Sequence, residues 1–442
     1  MTPQSHFMVL APLAPGREAG LRELLGTMNS APGVLEPRNA VLRFGAFECL
    51  HFARLVILDD ATHADIEAYG LPPPQLPTYL AFIGDCDGPA RAFLADAAQR
   101  AGDGLRQLFA HCADFDAEAD LLAWMLAHDA PAAALYVNWV GRSVQQVRQE
   151  SALQRALAAQ VPRGAGGAGG APGSGVGAPI DPQATRRGLI DFVRAEVRAG
   201  RLALTPPEAT PLRWQIAKLA HALGVPLVGL VALPVLIVLL PLLIWQLRRR
   251  ETTDPDICPR PQAAALLGLQ ALEDHDVTNQ YTAFGAVKPG RFRRWLLSAL
   301  LLVTDYACRH ILTRGHLARV QTIHFACWAF IDAKARIVFT SNYDGSHQSY
   351  MDDFINKVGW GLNLLFSNGI GWPRTRWLIC GGARIEQRFK HYQRRHQLPT
   401  QVWYQACPGL ALTDLKRNQR IREGLERANM NDAQALAWLK LL

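Results

Sequence analysis

The chain repeats itself. LHFA at Leu50–Ala53 recurs as IHFA at Ile323–Ala326, and LAFIGDCDG at Leu80–Gly88 recurs as IVFTSNYDG at Ile337–Gly345. From there the match runs without gaps: Phe93, Asp96, Gly102, Gly104, Leu105, Leu108 and Phe109 answer to Tyr350, Asp353, Gly359, Gly361, Leu362, Leu365 and Phe366. Further on, His128, Pro131, Tyr136 and Gly141 answer to His396, Pro399, Tyr404 and Gly409, and Pro15-Gly16-Arg17 answers to Pro289-Gly290-Arg291. Several blocks in one order point to an internal duplication. Whatever one flank folds into, the other is expected to fold into as well.

In the second copy the pattern predicts strands over Tyr281–Val287, Thr322–Ile331, Ile337–Ser341 and Val402–Ala406. Helices are predicted over Arg291–His310, Ser346–Phe366 and from Leu410 onward, the first with Phe292, Trp295, Leu296, Ala299, Leu300 and Val303 at helical spacing. This βαββαβ order is the ferredoxin-like motif, whose antiparallel sheet carries helices on one face only. The bare face needs a cover, and a second copy supplies one. The expected fold is α+β: two ferredoxin-like modules, 1–160 and 275–430, packed sheet to sheet, with a C-terminal helix over 431–442.

Between them lies a Gly/Ala linker at 161–180, then 181–250, an amphipathic helix over Asp181–Ala199 and an apolar segment. Val225 to Leu247 holds no charged residue and spans about 35 Å as a helix, against about 30 Å for a bilayer core. Arg248, Arg249 and Arg250 close it, and Trp214 and Trp245 stand near its ends. Pro226, Pro234 and Pro241 interrupt it, so a broken helix that dips in and returns is expected alongside a spanning one. Two modules sharing one core must lie on one side of the membrane, taken as the cytoplasmic side. A re-entrant or in-plane anchor allows that; a single span does not. The apolar helix Arg291–His310 lies either on the membrane surface or against the apolar segment.

Net charge is +8, but residues 1–247 carry −3 and residues 248–442 carry +11. Such asymmetry points to an anionic partner. No nucleic-acid-binding pattern accompanies it, so membrane lipid is the expected partner and nucleic acid is not. The eight cysteines form no CxxC pair, and are expected as free thiols.

His51 and His324 hold matching strand positions, and alternation sets His324 on one face with Ala326 and Trp328. A shared cavity between the modules would bring the two imidazoles together as ligand contacts. Asp87-Gly88 and Asp344-Gly345 are turn signals after equivalent strands. Polar groups crowd the second turn, among them Asn342 and Tyr350, and Asp344 with His347 is the expected acid–base pair. The loop from Ser367 adds Asn368, Trp372 and Arg374 as ligand-binding candidates, the arginine for an anionic group. No metal ligand set is seen.

Two ferredoxin-like modules in one chain resemble the dimeric α+β barrel superfamily, which includes the dye-decolourising peroxidases. GDCDG at Gly84–Gly88 is similar to their GxxDG pattern. That resemblance implies haem as cofactor and Asp87 as the distal acid, with His310, His316 and His324 as candidate iron ligands. LHFA and SNYDG also resemble segments of uncharacterised bacterial proteins of this organisation. The functional expectation is a membrane-attached protein binding a lipophilic or planar ligand between its modules, in its sharpest form a peroxidase-like oxidoreductase. The alternative is a non-catalytic lipid-binding or scaffolding protein.

Overall fold

The computed structural model describes residues 1–160, 181–313, 315, 317 and 319–442. The Gly/Ala linker and His316 lie outside the described residues.

Two four-stranded antiparallel sheets carry a mixed α+β fold. The strands are β1 (Gln4–Pro12), β2 (Leu50–Leu58), β3 (Tyr79–Asp87), β4 (Ala132–Val137), β5 (Thr278–Ala286), β6 (Ile323–Ile331), β7 (Arg336–Asp344) and β8 (Val402–Gln405). One sheet runs β1-β3-β2-β8 and the other β5-β7-β6-β4. Each therefore has three strands from one flank and its last edge strand from the other. Sequence order predicted that each fourth strand would stay with its own three; the structure exchanges them. The crossing is visible in the backbone. Ala130 N donates to Met8 O (2.8 Å) beside β1, and the chain then moves on to pair β4 with β6. Leu398 N likewise donates to Thr282 O (2.8 Å) beside β5 before β8 pairs with β2.

An apolar cluster joins one face of each sheet, with Met8, Val56, Ala81 and Ile83 against Phe284, Ala329, Ile331 and Val338. The opposite faces carry helices: Phe7, Val9, Leu55 and Phe82 pack with Leu21, Leu25, Phe93 and Leu105, and Ala326, Trp328 and Phe339 with Leu297, Leu301, Phe354 and Leu362. Burial on both faces is why these strands read as nearly continuous apolar runs. Gly84 is demanded by packing: a Cβ there would meet the Phe7 ring at 2.5 Å and Phe52 O at 2.8 Å. Gly88 and Gly345 both have positive φ, so the two Asp-Gly turns fold as expected.

Helix Arg291–His310 has its predicted bounds. The predicted helix Ser346–Phe366 divides into His347–Asp353, a π turn at Phe354–Val358, and Gly359–Phe366. The helix over Pro182–Arg198 is capped by Asp181, which accepts from Gln183 N and Ala184 N. All eight cysteines are free.

The apolar segment is not broken. One helix runs from Leu212 to Thr253 through all three prolines and is long and apolar enough to cross a membrane. Each proline removes one backbone donor and strands the carbonyl four residues earlier. For Pro226 that carbonyl is Ala222 O, and Tyr306 of the flanking helix Arg291–His310 donates its hydroxyl to it (3.2 Å). His221 Nδ1 and His310 Nε2 share a hydrogen bond one turn away (2.9 Å). The other end of the long helix is fixed too. Glu251 accepts from Trp377 N (2.9 Å), Leu378 N (2.8 Å) and Thr375 Oγ1 (3.2 Å), and Arg250 donates to Pro289 O (3.5 Å). The long helix is thus hydrogen-bonded to the rest of the chain near both ends. Between the docks its side chains are exposed, with Val231 at 73% and Val238 at 78%. The flanking helix is shared: Leu297, Leu301 and Cys308 face the core, while Trp295, Leu302 and Val303 are exposed.

Candidate functional site

Two histidine–aspartate pairs stand in mirrored positions. Each histidine sits at a bulge, between Leu50 and Phe52 in β2 and between Ile323 and Phe325 in β6. The bulge breaks strict alternation. His324 therefore does not join Ala326 and Trp328 in the helix-covered core; its ring packs edge-on against Phe52 of the other sheet (5.3 Å). His51 packs against Phe325 (5.5 Å) in return. The imidazoles do come to a shared interface, but aromatic rings fill it rather than a cavity. His51 Nε2 donates to Asp87 Oδ1 (2.9 Å) and His324 Nε2 to Asp344 Oδ1 (2.7 Å). The second oxygen of each carboxylate accepts the first N–H of a helix, Val144 N for Asp87 (2.8 Å) and Leu412 N for Asp344 (2.7 Å). Negative charge at a helix start is favourable, so both aspartates anchor the helix that follows each exchanged strand.

A buried polar bridge crosses between the sheets. Arg54 in β2 donates to Tyr281 O (2.9 Å), Thr282 Oγ1 (3.0 Å), Ser341 O (3.1 Å) and Asn342 Oδ1. Asn342 Nδ2 donates to Asp85 Oδ2 (2.9 Å), and His6 Nδ1 donates to Asp85 Oδ1 (2.8 Å). Burial acts to lower the pKa of His6, but Cys327 and Asp85 beside it outweigh that and raise it to about 10. Burial lowers Arg54 to about 10, with Asp85 opposing, so the guanidinium stays charged at neutral pH. Arg54 and Asp85 are 3% and 4% exposed, so this is a clamp between sheets, closed to a substrate. None of its charged members was singled out from the sequence. The signal was there: Arg54 and Asp85 are charges inside nine-residue apolar strands.

The expected Asp344–His347 pair does not form, because Asp344 is held by His324 and Leu412 N. His347 is buried, and neither ring nitrogen has a hydrogen-bond partner among the described residues. Burial, then Arg394 and Lys390, lower its pKa to about 3, so it is a neutral imidazole. Tyr350 stacks on Tyr343 (3.9 Å), and its hydroxyl shares a hydrogen bond with Ser341 Oγ (2.6 Å). The loop candidates are placed elsewhere. Asn368 Nδ2 donates to Leu364 O and Leu365 O, closing the helix before it. Trp372 Nε1 donates to Asn363 Oδ1 (3.1 Å). Arg374 is exposed and donates to Asp254 O (3.2 Å). The ten sequence candidates thus occupy several sites and do not converge on one pocket.

Comparison with protein families, curated proteins and solved structures gives no match.

The described residues do not fit a haem. Both oxygens of Asp87 are engaged, leaving none directed at a distal ligand. An apolar cavity of about 200 Å³ does lie beneath the flanking helix, lined by Leu300, Val303, Trp328, Phe354, Trp360 and Leu365 among others. Among the described residues its lining holds no His, Cys, Met or Tyr to ligate iron. Its volume also falls below the ~300–1,000 Å³ usual for cofactor-sized sites.

Proposed function

We propose that this chain is a membrane-surface protein, built from two copies of one βαββαβ unit, that binds lipid or scaffolds other components without catalysing a reaction. The observation that carries this reading is the double docking of the long helix. Its two ends are hydrogen-bonded to the same body, one near His310 and the other near Pro289. An apolar helix fixed in that way lies in the plane of one leaflet, with both units on one side. Its diameter of about 10–12 Å fits within half of a bilayer core of about 30 Å.

Several features support duplication. The sheet orders match, the bulges fall at matching histidines, and each paired aspartate caps the helix after an exchanged strand. The free thiols and the Arg248–Arg250 cluster support a cytoplasmic face. At the ends of the long helix Lys218 lies over Trp214 (5.0 Å) and Arg249 over Trp245 (5.4 Å), pairs suited to the headgroup level.

The test is labelling from outside. Arg213→Cys and Arg249→Cys variants are bound to sealed vesicles of phosphatidylcholine and phosphatidylglycerol and treated with a membrane-impermeant maleimide, with sites read by mass spectrometry. The in-plane helix predicts that both ends react. Reaction at one end only would establish a span, and failure to float with vesicles would end the membrane reading.

A further inference from the structure

We infer that the cavity beneath the flanking helix receives the end of one acyl chain, drawn from the leaflet in which the long helix lies. This rests on the membrane-surface reading above and adds the ligand and its place. The cavity is closed by the flanking helix on one side, by Trp328 and Phe339 of the sheet beneath, and by Phe354–Phe366 on the other. Thr304 is the sole hydroxyl among the described residues on its wall, and its Oγ1 already donates to Leu300 O (2.8 Å). Among the described residues the walls therefore offer a polar ligand no side-chain partner beyond the indole N–H groups of Trp328 and Trp360. Cavities lined by Leu, Ile and Phe stay dry and take apolar guests. About 200 Å³ admits a narrow chain end.

The mouth indicates where that chain comes from. Val303 and Trp360 line the cavity and are yet 65% and 49% exposed, so they form its rim. Val303 lies three residues before Tyr306, on the same side of the flanking helix, and Tyr306 touches the long helix through Ala222 O. Ala307, also on the wall, stands three residues before His310, which touches the long helix through His221. The opening and the membrane helix are thus within one turn of each other. A long helix sunk in the leaflet brings the rim to the depth of the acyl chains.

The experiment uses the full chain on phosphatidylcholine–phosphatidylglycerol vesicles containing a phosphatidylcholine with a diazirine at the end of one acyl chain. After irradiation, adducts are mapped by mass spectrometry, with co-flotation measured in parallel. Adducts are expected on Leu300–Ala307 and Phe354–Phe366. Ala326→Phe, which fills the cavity, should reduce them at least about tenfold, equivalent to ~1.4 kcal/mol, with flotation unchanged. Ala307→Phe, at a half-buried wall position, serves if Ala326→Phe does not fold. Adducts confined to the long helix, with flotation intact, would overturn the acyl-chain site and leave the membrane reading standing. Labelling by a free photoreactive fatty acid but not by the phospholipid would overturn the leaflet as source. Loss of flotation by the unmodified chain would overturn both.

Discussion

Arg54 is joined to Asp85 through Asn342 of the opposite sheet: the amide oxygen accepts from the guanidinium, and the amide nitrogen donates to the carboxylate at 2.9 Å. Asn342→Leu keeps the volume and removes both bonds. Breaking one member of a buried charged network leaves its partners unpaired and costs about 3–5 kcal/mol. Because Arg54 keeps three other acceptors, the lower end is expected, about 3 kcal/mol. Urea denaturation should show a lowered midpoint with an unchanged slope. A loss under about 1 kcal/mol would mean that the bridge contributes little.

The mirrored carboxylates give a paired prediction. Asp87→Ala and Asp344→Ala each remove a histidine partner and the acceptor for a helix N–H, a loss of about 1–2 kcal/mol for the cap alone. Asp344 also accepts from Thr278 Oγ1 (3.1 Å), a bond Asp87 lacks. Asp344→Ala should therefore be the more destabilising of the two by thermal unfolding. The reverse order would contradict the geometry.

Two buried histidines act on stability from opposite ends of the pH scale. His347 is held down to about 3 by burial and by Arg394 and Lys390, whereas an unfolded histidine titrates near 6.5. Below about pH 6.5 the unfolded chain takes a proton the fold refuses, so stability declines as pH falls toward 3. His6 is raised to about 10, so its contribution is complete below about pH 6.5 and is lost as pH rises through 10. His347→Phe should flatten the acid arm of a melting-temperature profile and leave the alkaline arm, and His6→Gln should do the converse. Identical profiles for the two variants would show that neither group is coupled to folding in this way.

How much of this was legible in the sequence depends on range. The helix Arg291–His310 and the Asp-Gly turns follow from local pattern, and their bounds agree. The exchange of β4 and β8 does not, because strand pairing is a long-range choice that a one-chain pattern leaves open. Asp344 was assigned to His347 because they are neighbours in sequence, but the bulge at His324 directed another imidazole at it. Arg54 and Asp85 went unnoticed among apolar neighbours, although a charge inside a doubly buried strand must have a partner. The three prolines read as breaks, because the hydroxyl of Tyr306 that satisfies Ala222 O lies 84 residues away.

The exposed face of the long helix can be read by charge scanning. Val228, Val235 and Leu242 are 68%, 61% and 52% exposed, so aspartate at any of them should change stability in solution by less than about 0.5 kcal/mol. In a bilayer the same charge is costly, about 2.5–3.5 kcal/mol at the centre of a span, which lowers partitioning by roughly a hundredfold. The pattern along the helix then separates two geometries. A spanning helix carries Val235 deepest, so Val235→Asp would be the worst and the flanking substitutions milder. A helix lying in the plane holds all three at similar depth, so Val228→Asp, Val235→Asp and Leu242→Asp should weaken vesicle co-flotation by similar factors. A clear maximum at Val235 would require the helix to leave its docks at His310 and Pro289.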